Sequence, residues 1–119
     1  MKVYCYPKCS TCKKALAWLD ENGAEYELFD IKTQNPDGQQ IAGWYEMSGL
    51  PLKKFFNTSG MIYREMELSK KLPEMSEEEQ IALLASDGML VKRPLVIGED
   101  YVLTGFKEAE WAEKILHRK

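Results

Sequence analysis

Polar and apolar positions alternate from Lys2 to Tyr6, with Val3 and Cys5 on one side and Tyr4 and Tyr6 on the other. This period of two predicts a strand. Pro7 stops further ladder pairing, and an amphipathic pattern carrying Leu16 and Leu19 runs to about Asn22. Ser10 or Thr11 is expected to cap this helix, and Gly23 to end it. Tyr26–Ile31 reads as a second strand, so the span predicts a right-handed βαβ unit with parallel pairing. Asn35-Pro36-Asp37-Gly38 is turn chemistry.

From Gln39 to Gly88 the period becomes helical. Ile41, Trp44 and Tyr45 mark one helix, and Leu52–Asn57 is a short turn carrying Phe55 and Phe56. Ile62–Leu68 reads as helical. Ser76 and Glu79 spell a capping box ahead of Ile81, Leu83 and Leu84, a helix that Asp87-Gly88 closes. The period of two returns in Leu90–Ile97 and Tyr101–Leu103, which flank Gly98-Glu99-Asp100 as a hairpin. Phe106–Leu116 is expected to finish as a helix whose inner face is Phe106, Ala109, Ala112, Ile115 and Leu116. The order β-α-β, helices, β-β-α predicts an α/β fold with a thioredoxin-like (glutaredoxin-type) core of about residues 1–37 and 89–119 and an inserted helical lobe of about 38–88, all in one domain, 1–119. Pro94 inside a strand is the odd residue, and a cis Arg93–Pro94 bond facing the cysteine loop would account for it.

Composition narrows the function. With 119 residues and 45% hydrophobic content the chain suits one core, and a net charge of −3 argues against a broad nucleic-acid surface. No leader or membrane-length apolar run is evident, so a cytoplasmic setting without membrane contact is expected. Three cysteines within positions 5–12 do not resemble a structural disulfide framework.

Cys9 and Cys12 fall where a strand hands over to a helix, beside Lys8, Lys13 and Lys14. Free N–H groups, the helix dipole and these lysines favour a thiolate, and Cys9 is expected to carry it. Cys12, one turn on, could resolve a mixed disulfide formed on Cys9, so the pair predicts thiol–disulfide exchange. Cys5, beside Val3 on the strand, reads as an inert buried thiol. Cys5, Cys9 and Cys12 also have the spacing of an iron–sulfur site, but a strand position and a short chain disfavour it. His117, the sole histidine, reads as a residue of the last helical turn rather than a zinc ligand. Neither a metal nor a cofactor is expected.

The start Val3-Tyr4-Cys5-Tyr6-Pro7-Lys8-Cys9-Ser10-Thr11-Cys12, the segment Lys92-Arg93-Pro94-Leu95 and Gly105-Phe106-Lys107-Glu108 together resemble the ArsC-like arsenate reductase family, which includes the Spx-type transcription regulators. Lys53–Gly60 and Ser86-Asp87-Gly88 are similar to a bacterial branch of that family. The resemblance implies Cys9 as nucleophile, and Arg93, Pro94 and Lys13 as the anion-binding positions. Lys13 stands where the family's arsenate reducers carry an arginine, and Asn57 and Gly105 occupy two further arginine positions. Under the exchange reading, a small dithiol protein or glutathione is expected as the reductant. The resemblance itself also implies two alternatives, a redox-sensing regulator docking on the RNA polymerase α subunit without touching nucleic acid itself, or a weak arsenate reductase.

Overall fold

The computed structural model describes residues 1–116. Four strands form one sheet: β1 (Lys2–Cys5), β2 (Glu27–Asp30), β3 (Leu95–Ile97) and β4 (Val102–Thr104), in the spatial order β2-β1-β3-β4. β1 runs parallel to β2, with Val3 opposite Leu28 and Cys5 opposite Asp30, and antiparallel to β3, with Val3 opposite Val96. A parallel neighbour requires a crossover, and α1 (Ser10–Glu21) supplies it, whereas β3 and β4 are antiparallel and joined by a short turn. This is the thioredoxin-like arrangement expected from the sequence.

Side-chain alternation divides the interior in two. Val3, Cys5, Val96 and Leu103 face α1 and the C-terminal helix, forming one cluster with Cys12, Ala15, Trp18, Leu19 and Trp111. Tyr4, Leu95, Ile97 and Val102 face the opposite way, onto the helices that lie between β2 and β3. These are α2 (Gly38–Ser48), α3 (Met61–Glu65), α4 (Leu68–Lys71) and α5 (Glu77–Ser86), with 3₁₀ turns at Leu52–Phe55, Leu72–Glu74 and Gly88–Leu90. Asp37 and Ser76 begin α2 and α5 with reciprocal capping boxes to Gln40 and Glu79. At Gly88 a Cβ would collide with the Ile31 carbonyl and crowd Asn35 Cβ. Only glycine lets the chain after α5 press this closely on the end of β2. Asn35 Nδ2 donates to the Ala85 carbonyl at 2.8 Å across the same seam.

Several expected elements change shape. The helix expected over Ile62–Leu68 breaks at Glu67, which adopts φ 54°, so α3 and α4 are separate. The strand expected over Leu90–Ile97 shrinks to β3. Leu90 ends a 3₁₀ turn, and Val91 makes a lone bridge to Phe56. Pro94, which has no N–H to give a ladder, precedes the strand after a cis Arg93–Pro94 bond. The last helix is α6 (Glu108–Trp111), continued as a wider π-turn over Ala112–Leu116. The inward face differs from the one expected: Trp111 is fully buried, while Ala109 and Leu116 are exposed. His117 lies outside the described residues. Among those described, no helix is long and apolar enough to cross a membrane.

Candidate active site

The cysteine loop is set by β1 and α1. Cys9 N–H donates to the Tyr6 carbonyl at 3.0 Å, closing a tight turn past Pro7 and Lys8. Cys9 itself is the N-cap of α1 (φ −85°, ψ 121°), and its carbonyl accepts from Lys13 N–H at 3.1 Å. Neither Ser10 nor Thr11 caps the helix, because both already lie inside its first turn, and no side chain hydrogen-bonds at the cap. The first-turn N–H groups are therefore not taken up by a capping side chain and point toward the Cys9 region.

Cys9 is half-buried and Cys12 fully buried, and all three cysteines are free thiols. The interactions that favour a thiolate converge on Cys12. The Cys5 thiol is its principal hydrogen-bonding partner, followed by the Tyr6 backbone, the Cys9 thiol and the charge of Arg93. Together they outweigh burial and draw Cys12 down to about 6. The proton left on Cys5 is correspondingly hard to remove, held by the hydrogen bond to Cys12 and by burial. The residue singled out for ionisation by tertiary contacts is thus Cys12, whereas the sequence pattern points to Cys9.

Cys9 opens onto a cleft of about 370 Å³. Lys92, Arg93 and Lys107 line it together with Thr11, Asn57 and Gly105, and among the described residues none that lines it is a carboxylate. Lys53 and Lys54 extend the basic surface into an adjoining cleft that shares Lys92, Thr104 and Lys107. Arg93 packs its guanidinium over the Tyr6 ring at 5.4 Å and donates to the Met89 carbonyl at 3.4 Å. Its Nε is buried with no partner among the described residues. Gly105 sits at φ +76°, where L side chains are strained, and a Cβ there would stand 3.0 Å from Lys92 Cε. The glycine therefore leaves room for the lysine stem to lie across the cleft. Its N–H donates to the Pro94 carbonyl at 2.9 Å, and its carbonyl accepts from Trp111 Nε1 at 3.0 Å.

A separate cavity of about 360 Å³ reaches the other two sulfurs. It lies between α1 and the edge strand β2, lined by Cys5, Cys12, Leu16, Leu28 and Phe29, with Lys13 and Asp30 among its few charged residues. Of the residues read from the sequence, Cys9 and Arg93 thus meet in the cleft, and Cys12 lies behind Cys9. Lys13 belongs to the other cavity. Pro94 lines neither and acts on the cleft through Gly105. Lys92 and Lys107 also line the cleft; residue spacing does not mark them as anion ligands, although both lie in the Lys92–Leu95 and Gly105–Glu108 motifs.

A profile described as the ArsC family matches residues 4–114. The chain is 56% identical over 113 residues to the uncharacterized protein YusI of Bacillus subtilis (strain 168), covering 95% of this chain and 96% of that protein. It superimposes on the crystal structure of a putative ArsC family related protein from Bacteroides fragilis with a TM-score of 0.92 and 56% identity, over 94% of each chain. A structure described as a possible arsenate reductase from Streptococcus mutans UA159 gives 0.83 and 50% identity, over 89% of this chain and 90% of that one. The cysteine-to-helix junction and the basic segment around the cis proline thus sit within a match that spans nearly the full length, and the chain belongs to the ArsC family.

Proposed function

We propose that the protein is a thiol–disulfide oxidoreductase acting on substrates that carry negative charge beside an oxidised sulfur. The observation behind this reading is the position of Cys9, at a helix N-terminus, facing a cleft with three cations and no carboxylate among the described residues, and backed by Cys12, whose neighbours favour its thiolate. As Cys9 attacks the substrate sulfur, its proton passes to the Cys12 thiolate, and the substrate's leaving group departs as a thiolate. Cys12, acidic enough to lose that proton again near neutral pH, then attacks Cys9 Sγ. The reduced substrate leaves and an intramolecular Cys9–Cys12 disulfide remains. A small dithiol protein or glutathione returns both residues to thiols.

One guanidinium and two ammonium groups suit carboxylates held loosely, as on a glutathionylated thiol. A compact oxyanion is better oriented by several forked donors, and here Asn57 and Gly105 leave Arg93 as the only arginine in the cleft among the described residues. Arsenate reduction is therefore the secondary reading.

Trapping from cells with Cys12→Ser tests the proposal: mixed disulfides should accumulate on Cys9 and vanish in Cys9→Ser. Absence of any mixed disulfide, together with no exchange activity in the unaltered protein, would overturn it. Reductant consumption that needs arsenate and is lost in Cys9→Ser would instead support the oxyanion reading. Recovery of the RNA polymerase α subunit only from oxidised protein would move the function to a redox-sensing regulator.

A further inference from the structure

Cys5 forms no bond in the exchange cycle just described, yet its surroundings are not those of an inert core thiol. It lies at the end of the central strand and packs in one cluster with Cys12 and, at the margin, Cys9. Cys12 thus has both of the other cysteine sulfurs as interacting neighbours. The cavity between α1 and β2 is bordered by Cys5 and Cys12 but not by Cys9. We infer that Cys5 is a third redox residue, and that Cys12 can exchange its disulfide partner between Cys9 in the basic cleft and Cys5 in the apolar cavity.

The step needs no outside oxidant once Cys9–Cys12 has formed. Cys5 gives up its thiol proton to solvent, and its sulfur attacks Cys12 Sγ. The Cys12–Cys9 bond breaks, a Cys5–Cys12 bond forms, and Cys9 leaves as a thiolate facing Arg93. One disulfide is exchanged for another, so the number of electrons in the protein is unchanged. The proton that resists removal from Cys5 in the reduced protein is held chiefly by the neighbouring Cys12 sulfur. When Cys12 is already bonded in a disulfide it carries no charge, so the main obstacle to ionising Cys5 is removed. The outcome is a reduced Cys9 in the cleft while the oxidising equivalents sit behind it, on the cavity side.

This rests on the exchange reading above, and one experiment separates the two. Trypsin cuts after Lys8 and Lys13, releasing Cys5 in Val3–Lys8 and the other two cysteines together in Cys9–Lys13. The protein is oxidised with diamide, which removes two electrons and two protons from a dithiol, then denatured, alkylated and digested. The expected result is a cross-linked pair of these peptides beside Cys9–Lys13 carrying an internal disulfide. In Cys9→Ser the cross-link should persist, with both remaining thiols lost together and no covalent dimer. Complete alkylation of Cys5 in both proteins would overturn the inference. If the unaltered protein still showed the internal Cys9–Cys12 disulfide, the exchange reading would stand alone; if it showed neither disulfide, both would fall. Cys5→Ala should still form the Cys9–Cys12 disulfide, and should not form the cross-linked peptide.

Discussion

The cleft before Cys9 and the cavity behind Cys12 reach the same group of sulfurs with opposite chemistry. Lys92, Arg93 and Lys107 give the cleft a positive potential, which attracts anions and weakens with ionic strength. Leu16, Leu28 and Phe29 give the cavity hydrocarbon walls, which favour neutral, poorly hydrated groups and respond little to salt. A two-cysteine loop with different chemistry on its two sides can admit a substrate and a reductant by different routes. On the reading proposed above, the difference teaches that charge around the loop would guide substrates in, while the acidity of Cys12 is set mainly by its contact with Cys5 behind the loop.

The largest effect should come from Arg93→Met. Losing a charge-assisted donor costs about 1.5–3 kcal/mol. That corresponds to a drop of roughly ten- to a hundredfold in kcat/KM toward a carboxylate-bearing disulfide, with a neutral disulfide much less affected. Equal losses on both substrates would erase the distinction between cleft and cavity.

Next comes ionisation. Thiolate absorbance near 240 nm should show Cys12 titrating with a midpoint of about 6, below the ordinary thiol value of about 8.5. Because the folded value is the lower one, this group's contribution to stability is fully present above the unfolded value. It declines as pH falls, and is lost once pH passes below the folded midpoint. Cys5→Ala should raise that midpoint more than Arg93→Met does, since the Cys5 contact is the leading cause. The reverse order would mean that the cleft, not the sulfur beneath, controls Cys12.

Lys107→Ala and Lys92→Ala should each cost only about 0.2–1 kcal/mol, at most roughly fivefold in activity, with the deficit shrinking as salt is added. Leu28→Ser, at a residue 54% exposed on the cavity wall, should change stability by less than about 0.5 kcal/mol. It should slow modification of Cys12 by apolar thiol reagents and leave the salt dependence of the cleft reaction intact.

Much of this architecture can be read along the chain because it is written in local chemistry. The alternation of Val3 and Cys5 with Tyr4 and Tyr6, the Ser76–Glu79 box and the turn at Gly98-Glu99-Asp100 depend on near neighbours, and each appears in the structure. Misreadings occur where tertiary demands override the period. Trp111 takes the inward place because its indole reaches the Gly105 carbonyl and packs against Phe106, with ring centroids 4.8 Å apart. Leu90 and Val91 look like strand residues, but they serve the core beneath the inserted helices. At the site, Cys9 and Arg93 are legible because a cap position and a residue before proline are local features. The contact between Cys5 and Cys12 joins strand to helix, and the approach of Lys92 over Gly105 spans two loops. Neither has a signature in residue spacing.

The indoles of Trp18 and Trp111 belong to the same cluster as Cys5 and Cys12, whereas Trp44 packs on the opposite face of the sheet. Thiolates and disulfides quench tryptophan emission at short range and to different extents. The chain therefore carries its own optical reporter of sulfur state, two emitters in the cluster that holds the thiols and a third across the sheet as internal reference. Stopped-flow fluorescence on the unlabelled protein can follow each oxidation and reduction as it happens.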